Sequence, residues 1–295
     1  MSGILIENYH SDANPVVTIG MPVYNGEKYV REALDSILSQ TYANFTVLIS
    51  DNCSTDGTGE ICRDYARKDP RVKYVRQNKN EGASFNFKYV FDQSSAKYFM
   101  WAACDDLRSS DFLELNVAFL NEHPEYVGST CPVKFSGGEF NEISMGDQSL
   151  SGEWIERVDD FFLTWHANGR FYSLFRREAV ASWEFWGQNF LGADWTLIIH
   201  LIGIGKLNRV SSGWVVLGVD GVSKNSDIFA LFRRNPLDWL LPFNRVAFHV
   251  LAQLKGGTVC QRWSVVRKLL RLNYWAFVEQ FRAMRNKQKS TTYHG

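Results

Sequence analysis

Over the first hundred positions, short β-branched apolar runs alternate with stretches whose apolar residues recur at helical spacing. Val16-Val17-Thr18-Ile19-Gly20 is a run of the buried-strand type. After the turn-rich Pro22 to Gly26, Val30, Leu34, Ile37 and Leu38 share one face of a predicted helix. Phe45 to Ile49 predicts a second strand, ending in Ser50-Asp51-Asn52. Ser54-Thr55-Asp56-Gly57-Thr58 then predicts a turn and cap leading into a helix over Glu60 to Lys68. Val72 to Val75 predicts a third strand, and a helix from about Ala83 to Phe91 follows. A fourth strand, Tyr98 to Ala102, runs into Cys104-Asp105-Asp106. From roughly Asp111 to Val222 the pattern is less regular and rich in aromatic residues between Trp154 and Trp195, most of which are expected in the core. Beyond Asn225 the chain reads as helical and basic.

Strands separated by single helices imply right-handed crossovers and a parallel sheet. Such sheets bind ligands beyond the carboxyl ends of their strands. Those ends carry Pro22-Val23-Tyr24-Asn25, Asp51 and Asp105-Asp106, a concentration of polar chemistry that a structural loop does not need.

Composition narrows the picture. The chain has 295 residues, 45% hydrophobic and 22% charged, as in a globular protein with one large domain and an appendage. Its 32 basic and 32 acidic residues cancel, which argues against a nucleic-acid binder. The balance hides an asymmetry of +10 over residues 231–295 against −10 over the rest. The five cysteines are scattered, without the spacing of a zinc or redox pair. The first 14 residues have no apolar stretch of the signal-peptide kind and no apolar run suits a membrane span, so a cytoplasmic protein is expected, soluble or peripheral on the inner face of the membrane.

The GxGxxG and GxxxxGKS loops are missing after the first strand, which disfavours an NAD enzyme or P-loop NTPase. Gly20-Met21-Pro22-Val23-Tyr24-Asn25-Gly26 instead suits a base that is stacked and hydrogen-bonded. Asp51 could accept from a base N–H or a ribose hydroxyl, or simply end its strand as a turn residue. The adjacent carboxylates Asp105 and Asp106 would repel each other; a divalent cation relieves that repulsion, and a metal-bound diphosphate is the obvious further ligand. A solvated acidic turn is the plainer alternative. The six histidines show no metal-ligand spacing.

VTIGMPVYNGEKYVREALDSILSQTYANFTVLISDNCSTDGT resembles the opening of family 2 glycosyltransferases, and NKNEGASFNFKYVFDQSSAKYFMWAACDDL and LGADWTLIIHLIGIGKLNRV extend the likeness over about Pro15 to Ser223. The resemblance implies a GT-A α/β fold: a mostly parallel sheet flanked by helices, with a Rossmann-like nucleotide half. It places that domain at 15–225, after an extension over 1–14 and before a basic, mainly helical region over 226–295. It also implies inverting transfer from a UDP- or dTDP-sugar with Mn²⁺ or Mg²⁺, to a glycan or lipid-linked glycan acceptor, in surface polysaccharide or glycan synthesis. Pro22, Val23, Tyr24, Asn25 and Asp51 would hold the nucleoside, with Asn80 and Gly82 beside it. Asp106 is assigned to the metal, Asp105 to ribose or metal, and Asp194, in Gly192-Ala193-Asp194-Trp195, to the catalytic base, with Glu184 and Asp220 as reserves. Asp194 at a helix start could equally be an ordinary first-turn acid. Three positions depart from the family pattern: Ala103 and Asn52 stand where acids are common, and residues 218–223 lack an Arg-x-His. A non-catalytic nucleotide-sugar-binding subunit and a nucleotidyltransferase are the competing readings. If Cys260 to Arg285 is one helix, Val266, Leu269, Leu270 and Phe277 lie on one side of it. Arg267, Lys268, Arg271, Arg282 and Arg285 then form a basic arc opposite, suited with Trp239, Trp263 and Trp275 to an anionic membrane surface.

Overall fold

The computed structural model describes residues 15–184, 186, 188–218, 228–254 and 256–292, with side chains as far as Arg285. Strands β1 (Val17–Val23), β2 (Phe45–Asp51), β3 (Val72–Arg76) and β4 (Tyr98–Trp101) alternate with helices α1 (Val30–Leu38), α2 (Thr58–Lys68) and α3 (Ala83–Asp92). Then come β5 (Leu107–Arg108), α4 (Phe112–Glu122), β6 (Tyr126–Thr130), β7 (Val133–Phe135), α5 (Glu142–Met145) and α6 (Trp154–Phe161). After them follow β8 (Leu174–Arg176), α7 (Arg177–Ala181), α8 (Ala193–Ile204), β9 (Lys206–Arg209) and β10 (Val215–Leu217). Helices α9 (Ile228–Phe232), α10 (Pro236–Leu240), α11 (Asn244–Gln253) and α12 (Val259–Thr292) close the chain.

Seven strands form the main sheet in the order β3-β2-β1-β4-β8-β6-β9, and β5-β10-β7 form a small second sheet. Strands β1 to β4 are parallel, as the alternating pattern predicts, while β8 runs antiparallel to both β4 and β6. The sheet is buried on both faces. Phe99 and Trp101 pack with Val90 and Phe91 of α3 on one side, and Tyr98 and Met100 pack with Leu34 of α1 and Phe112 of α4 on the other. That double burial explains the continuous apolar strands.

Strand β1 runs three residues beyond the predicted Gly20, so Pro22 and Val23 belong to the strand rather than to the turn after it. The register tolerates the proline. Val23 O accepts from Asn52 N on the β2 side at 2.9 Å, whereas Gly20 O accepts from Ala102 N on the β4 side. Pro22, two residues past Gly20, therefore turns its missing N–H to the β4 side, where pairing with β4 has already ended at Gly20.

The C-terminal helix exists, but its buried face differs from the predicted one. Val265, Leu269, Leu272, Ala276 and Gln280 face inward, while Leu270 is 59% exposed. The face is set by what it meets: Val265, Leu269, Leu272 and Ala276 join the core cluster that contains Phe161 and Trp195. Lys268 of the predicted basic arc is drawn inward by Asp159, 2.7 Å from its Nζ. Arg271 also leans on the body, donating to Leu163 O at 2.7 Å. Trp239 is covered by Arg233 and Phe281. Among the described residues, no helix is long and apolar enough to cross a membrane.

Candidate active site

The loops after β1, β2 and β4 meet at one edge of the sheet. Asn25 adopts a left-handed conformation (φ 51°), donates its N–H to Ser54 Oγ at 2.9 Å and accepts from Thr55 N at 2.8 Å. Gly26 N–H donates to Thr58 Oγ1 at 2.8 Å, and a Cβ at Gly26 would lie 2.8 Å from Cys104 Sγ. The β1 loop is thus clamped between the start of α2 and the acid-bearing loop. Tyr24 projects from it, 47% exposed.

Asp51, the last residue of β2, is fully buried and heavily engaged. Its Oδ2 accepts from Tyr74 Oη at 2.8 Å and from Arg76 Nη1 at 2.7 Å, while Oδ1 accepts from Ser54 N at 2.8 Å. Neither Tyr74 nor Arg76 stood out in the sequence, because both lie in an ordinary edge strand. The pair turns Arg76, not the carboxylate, toward solvent.

Asn80 and Gly82 belong to a loop organised by Asn52. Asn52 Nδ2 donates to Asn80 Oδ1 at 2.9 Å, and Asn52 Oδ1 accepts from Glu81 N at 2.9 Å. A carboxylate at position 52 could not make the first of these bonds, which accounts for the amide there. Gly82 opens α3 with φ 87° and ψ 162°, a conformation essentially reserved for glycine, although nothing lies within 4 Å of a Cβ built there. Gly82→Ala is therefore expected to cost about 1–3 kcal/mol through backbone strain alone, readable as a lower urea midpoint with an unchanged m-value.

The acid pair lies between β4 and β5. Asp106 is 2% exposed; its Oδ1 accepts from Gly218 N at 3.1 Å, and its Oδ2 is a buried oxygen with no donor among the described residues. Burial pushes its carboxyl up to about 6, against the opposing pull of Arg108. Arg108 is 3% exposed, donates Nη2 to Trp101 O at 3.0 Å, and leaves Nε and Nη1 unpartnered. Asp105 folds over Gly218, where a Cβ would fall 1.9 Å from its Oδ2, so a glycine just after β10 leaves room for Asp105.

Asp194 is the second residue of α8, whose N-cap is Gly192. It is a first-turn acid, as the plainer reading holds, yet it is also half-buried, and desolvation raises its pKa. Asn168 Nδ2 donates to Asp194 Oδ2 at 2.9 Å. Asn168, 1% exposed and left-handed at φ 55°, is itself fixed by His166. His166 Nδ1 accepts from Asn168 N at 3.0 Å, and its Nε2–H donates to Phe161 O at 3.0 Å. Burial drives His166 down to about 3, so it stays neutral, and its ring stacks on Trp195 at 4.6 Å. Burial pushes the Tyr172 hydroxyl well above its ordinary value, and the charges of Asp106, Asp105 and Asp194 add to that shift.

Comparisons with known proteins place the chain in a family and a fold. The family model described as "Glycosyl transferase family 2" matches residues 18–183, more than half of the chain. The chain belongs to glycosyl transferase family 2. A Campylobacter jejuni relative, GalNAc(5)-diNAcBac-PP-undecaprenol beta-1,3-glucosyltransferase, is 26% identical over 188 residues, 63% of this chain and 60% of that protein. Of three further curated glycosyltransferase relatives, the chain spans only 14%, 46% and 42% of the length. The fold is shared with S. aureus TarS 1-349 in complex with UDP-GlcNAc, at 17% identity and TM-score 0.65 over 86% of this chain and 71% of that one. It is shared too with the mannosyltransferase PcManGT from Pyrobaculum calidifontis in complex with GDP-Man and Mn²⁺, at 18% identity and TM-score 0.57, over 94% and 76% of the chains.

The family 2 segment carries Pro22 to Asn25, Asp51, Asn80, Gly82, Asp105 and Asp106 at or just after the strand ends, whereas Asp194 lies in α8, beyond the matched residues, held by Asn168. Glu184 is not part of this site. It lines a separate cleft with His200 and Ile204, near the other end of α8 and about 14 Å along the helix from Asp194. Asp220 and most of the 218–223 segment lie outside the described residues. Asn168, His166 and Tyr172 escaped the sequence reading. They sit in an irregular stretch, and only the fold brings them to the acids. Most of the aromatic cluster is core, as expected; among the described residues Trp165 is the exposed exception, 56% exposed and 5.7 Å from Trp195.

Proposed function

We propose that this chain transfers a sugar from a nucleotide diphospho-sugar, a UDP- or dTDP-sugar, to an acceptor hydroxyl with inversion at the anomeric carbon. The observation that carries the reading is the buried acid Asp106, one carboxylate oxygen of which finds no donor among the described residues, beside Asp105 past the carboxyl end of β4 in a parallel sheet. The nucleoside would lie along Pro22 to Asn25, against Tyr24 and the Asp51–Arg76 pair, with Asn80 and Gly82 beside it.

The orphaned, buried Oδ2 of Asp106 fits a hard cation, so Asp106 with Asp105 would hold Mn²⁺ or Mg²⁺, which neutralises charge on a departing diphosphate. On the opposite side Asp194 accepts the proton of the incoming hydroxyl, with its carboxylate oriented by Asn168. Tyr172 keeps its proton near neutrality and can donate it as a hydrogen bond. Trp165 offers an exposed ring beside Trp195 on which an acceptor sugar can stack. A glycan or lipid-linked glycan acceptor in polysaccharide synthesis, met at an anionic membrane surface on the cytoplasmic side, completes the proposal. The three-part division at 15 and 226 is retained with it.

The stereochemistry is testable by proton NMR of the product at early times from an α-linked donor. The β product is expected first, and an α product would overturn inversion.

The link between Asn168 and Asp194 yields a pH test. Donation from Asn168 favours the ionised carboxylate, and Asp194 must be ionised to accept a proton. Removing the donor raises the pKa further, so the acid limb of the kcat profile moves to higher pH. Asn168→Gly keeps the left-handed backbone and removes the side chain with its amide donor, and should move that limb up by roughly one unit. A limb that stays put in Asn168→Gly would deny Asn168 this role.

A further inference from the structure

Helix α12 hides one face in the core and leaves a second apolar stripe in solvent. Trp263, Leu270, Tyr274 and Phe281 are 63%, 59%, 67% and 42% exposed. At 100° per residue these four positions fall within about 20° of a single line, and at 1.5 Å per residue the line is about 27 Å long. Arg267 and Arg285, both exposed, sit about 40° to one side of it, with Arg271 and Arg282 further round. The stripe is thus aromatic and aliphatic along its crest and basic along one margin. Leu237 and Leu240 of α10 are also exposed, and α10 meets the end of the stripe through Trp239 and Phe281. Among the described residues, 11 of the 20 exposed large hydrophobic side chains lie in the last 65 positions, the same stretch that carries +10. Solvated charge alone does not require that coincidence.

The occupant follows from the charge. A second copy of α12 laid along the stripe would bring its own arginines against these, with Glu279 the acid available to offset them between Val259 and Arg285. Interfacial lipid supplies both requirements, an apolar boundary for Trp, Tyr and Phe and anionic headgroups for arginine. We infer that the Trp263-Leu270-Tyr274-Phe281 stripe with Arg267 and Arg285 is the face by which the protein lies on an anionic lipid surface. The inference rests on the proposed membrane-side function and gives it a face.

Sedimentation of the full chain with phosphatidylcholine vesicles, with and without phosphatidylglycerol, is the test. Binding is expected only with phosphatidylglycerol, falling as salt rises. Arg267→Gln with Arg285→Gln should weaken it roughly tenfold or more, since each arginine contributes separately near such a surface. Trp263→Ser with Tyr274→Ser should abolish it while melting temperature and nucleotide binding hold. Equal binding to both vesicles, no binding, or wild-type binding by both variants would overturn the inference. A concentration-dependent dimer lost in the same variants would assign the stripe to a second copy instead. Vesicle binding needs no donor and donor binding needs no vesicle, so this face and the transfer reaction fail separately.

Discussion

Asp194→Asn is expected to lower kcat by about 10²–10⁴-fold, the usual worth of general-base assistance, while leaving donor affinity nearly unchanged. The incoming hydroxyl is a poor nucleophile until its proton is accepted, and an amide cannot accept that proton. The stability of the variant separates this role from that of a helix-start acid. Burial raises the pKa of Asp194, so the fold disfavours its charged form, and the ionised side chain is a burden above that pKa. Asparagine carries no charge to desolvate and can still occupy the first turn of α8. At neutral pH the melting temperature should therefore match or slightly exceed that of the unmodified chain, as happens where a residue is kept for function. A simple cap would show the reverse, intact kcat with a lower melting temperature.

Asp106→Ala and Asp105→Ala are expected to abolish turnover, and Asp106→Ala to remove cation-dependent nucleotide binding as well. Asp106→Ala carries a second effect. Arg108, buried nearby with two nitrogens that find no partner among the described residues, loses an opposing charge, so this variant is expected to be less stable as well as inactive. Loss of activity in that variant alone would be ambiguous. Asp106→Ala combined with Arg108→Met removes both charges and should recover much of the stability without recovering turnover. Turnover that survives in Asp105→Ala and Asp106→Ala with excess chelator would end the case for the pair as cation ligands.

The nucleotide half of the fold was legible because its signals are local. Period and turn chemistry fix β1 to β4 and their helices almost to the residue, and acids at strand ends are visible as soon as the strands are. The exceptions follow the same logic. Pro22 reads as a turn residue until the register shows that its missing N–H faces no partner strand. The face of α12 could not be read from its own periodicity, because it carries two apolar stripes and only contact with the core decides which is buried. Asn168 and His166 have no local signature at all. Their role arises where an irregular segment crosses the start of α8, 26 residues on in the chain from Asn168. Arg76 is similar: an edge-strand arginine gains meaning only because Asp51 ends the neighbouring strand two layers of sequence away.

Thermal denaturation with candidate donors, each with Mn²⁺ and with chelator, tests the central claim most directly. A ligand at a hundredfold excess over its Kd stabilises the fold by about 2.7 kcal/mol, a rise of several degrees for a chain of this size. A UDP- or dTDP-sugar should produce that rise with Mn²⁺, lose most of it with chelator, and lose the difference between the two conditions in Asp106→Asn. If no nucleotide diphospho-sugar shifts the melting temperature, or if the shift is the same with chelator and in Asp106→Asn, then the acids at the strand ends do not form a cation-assisted donor site.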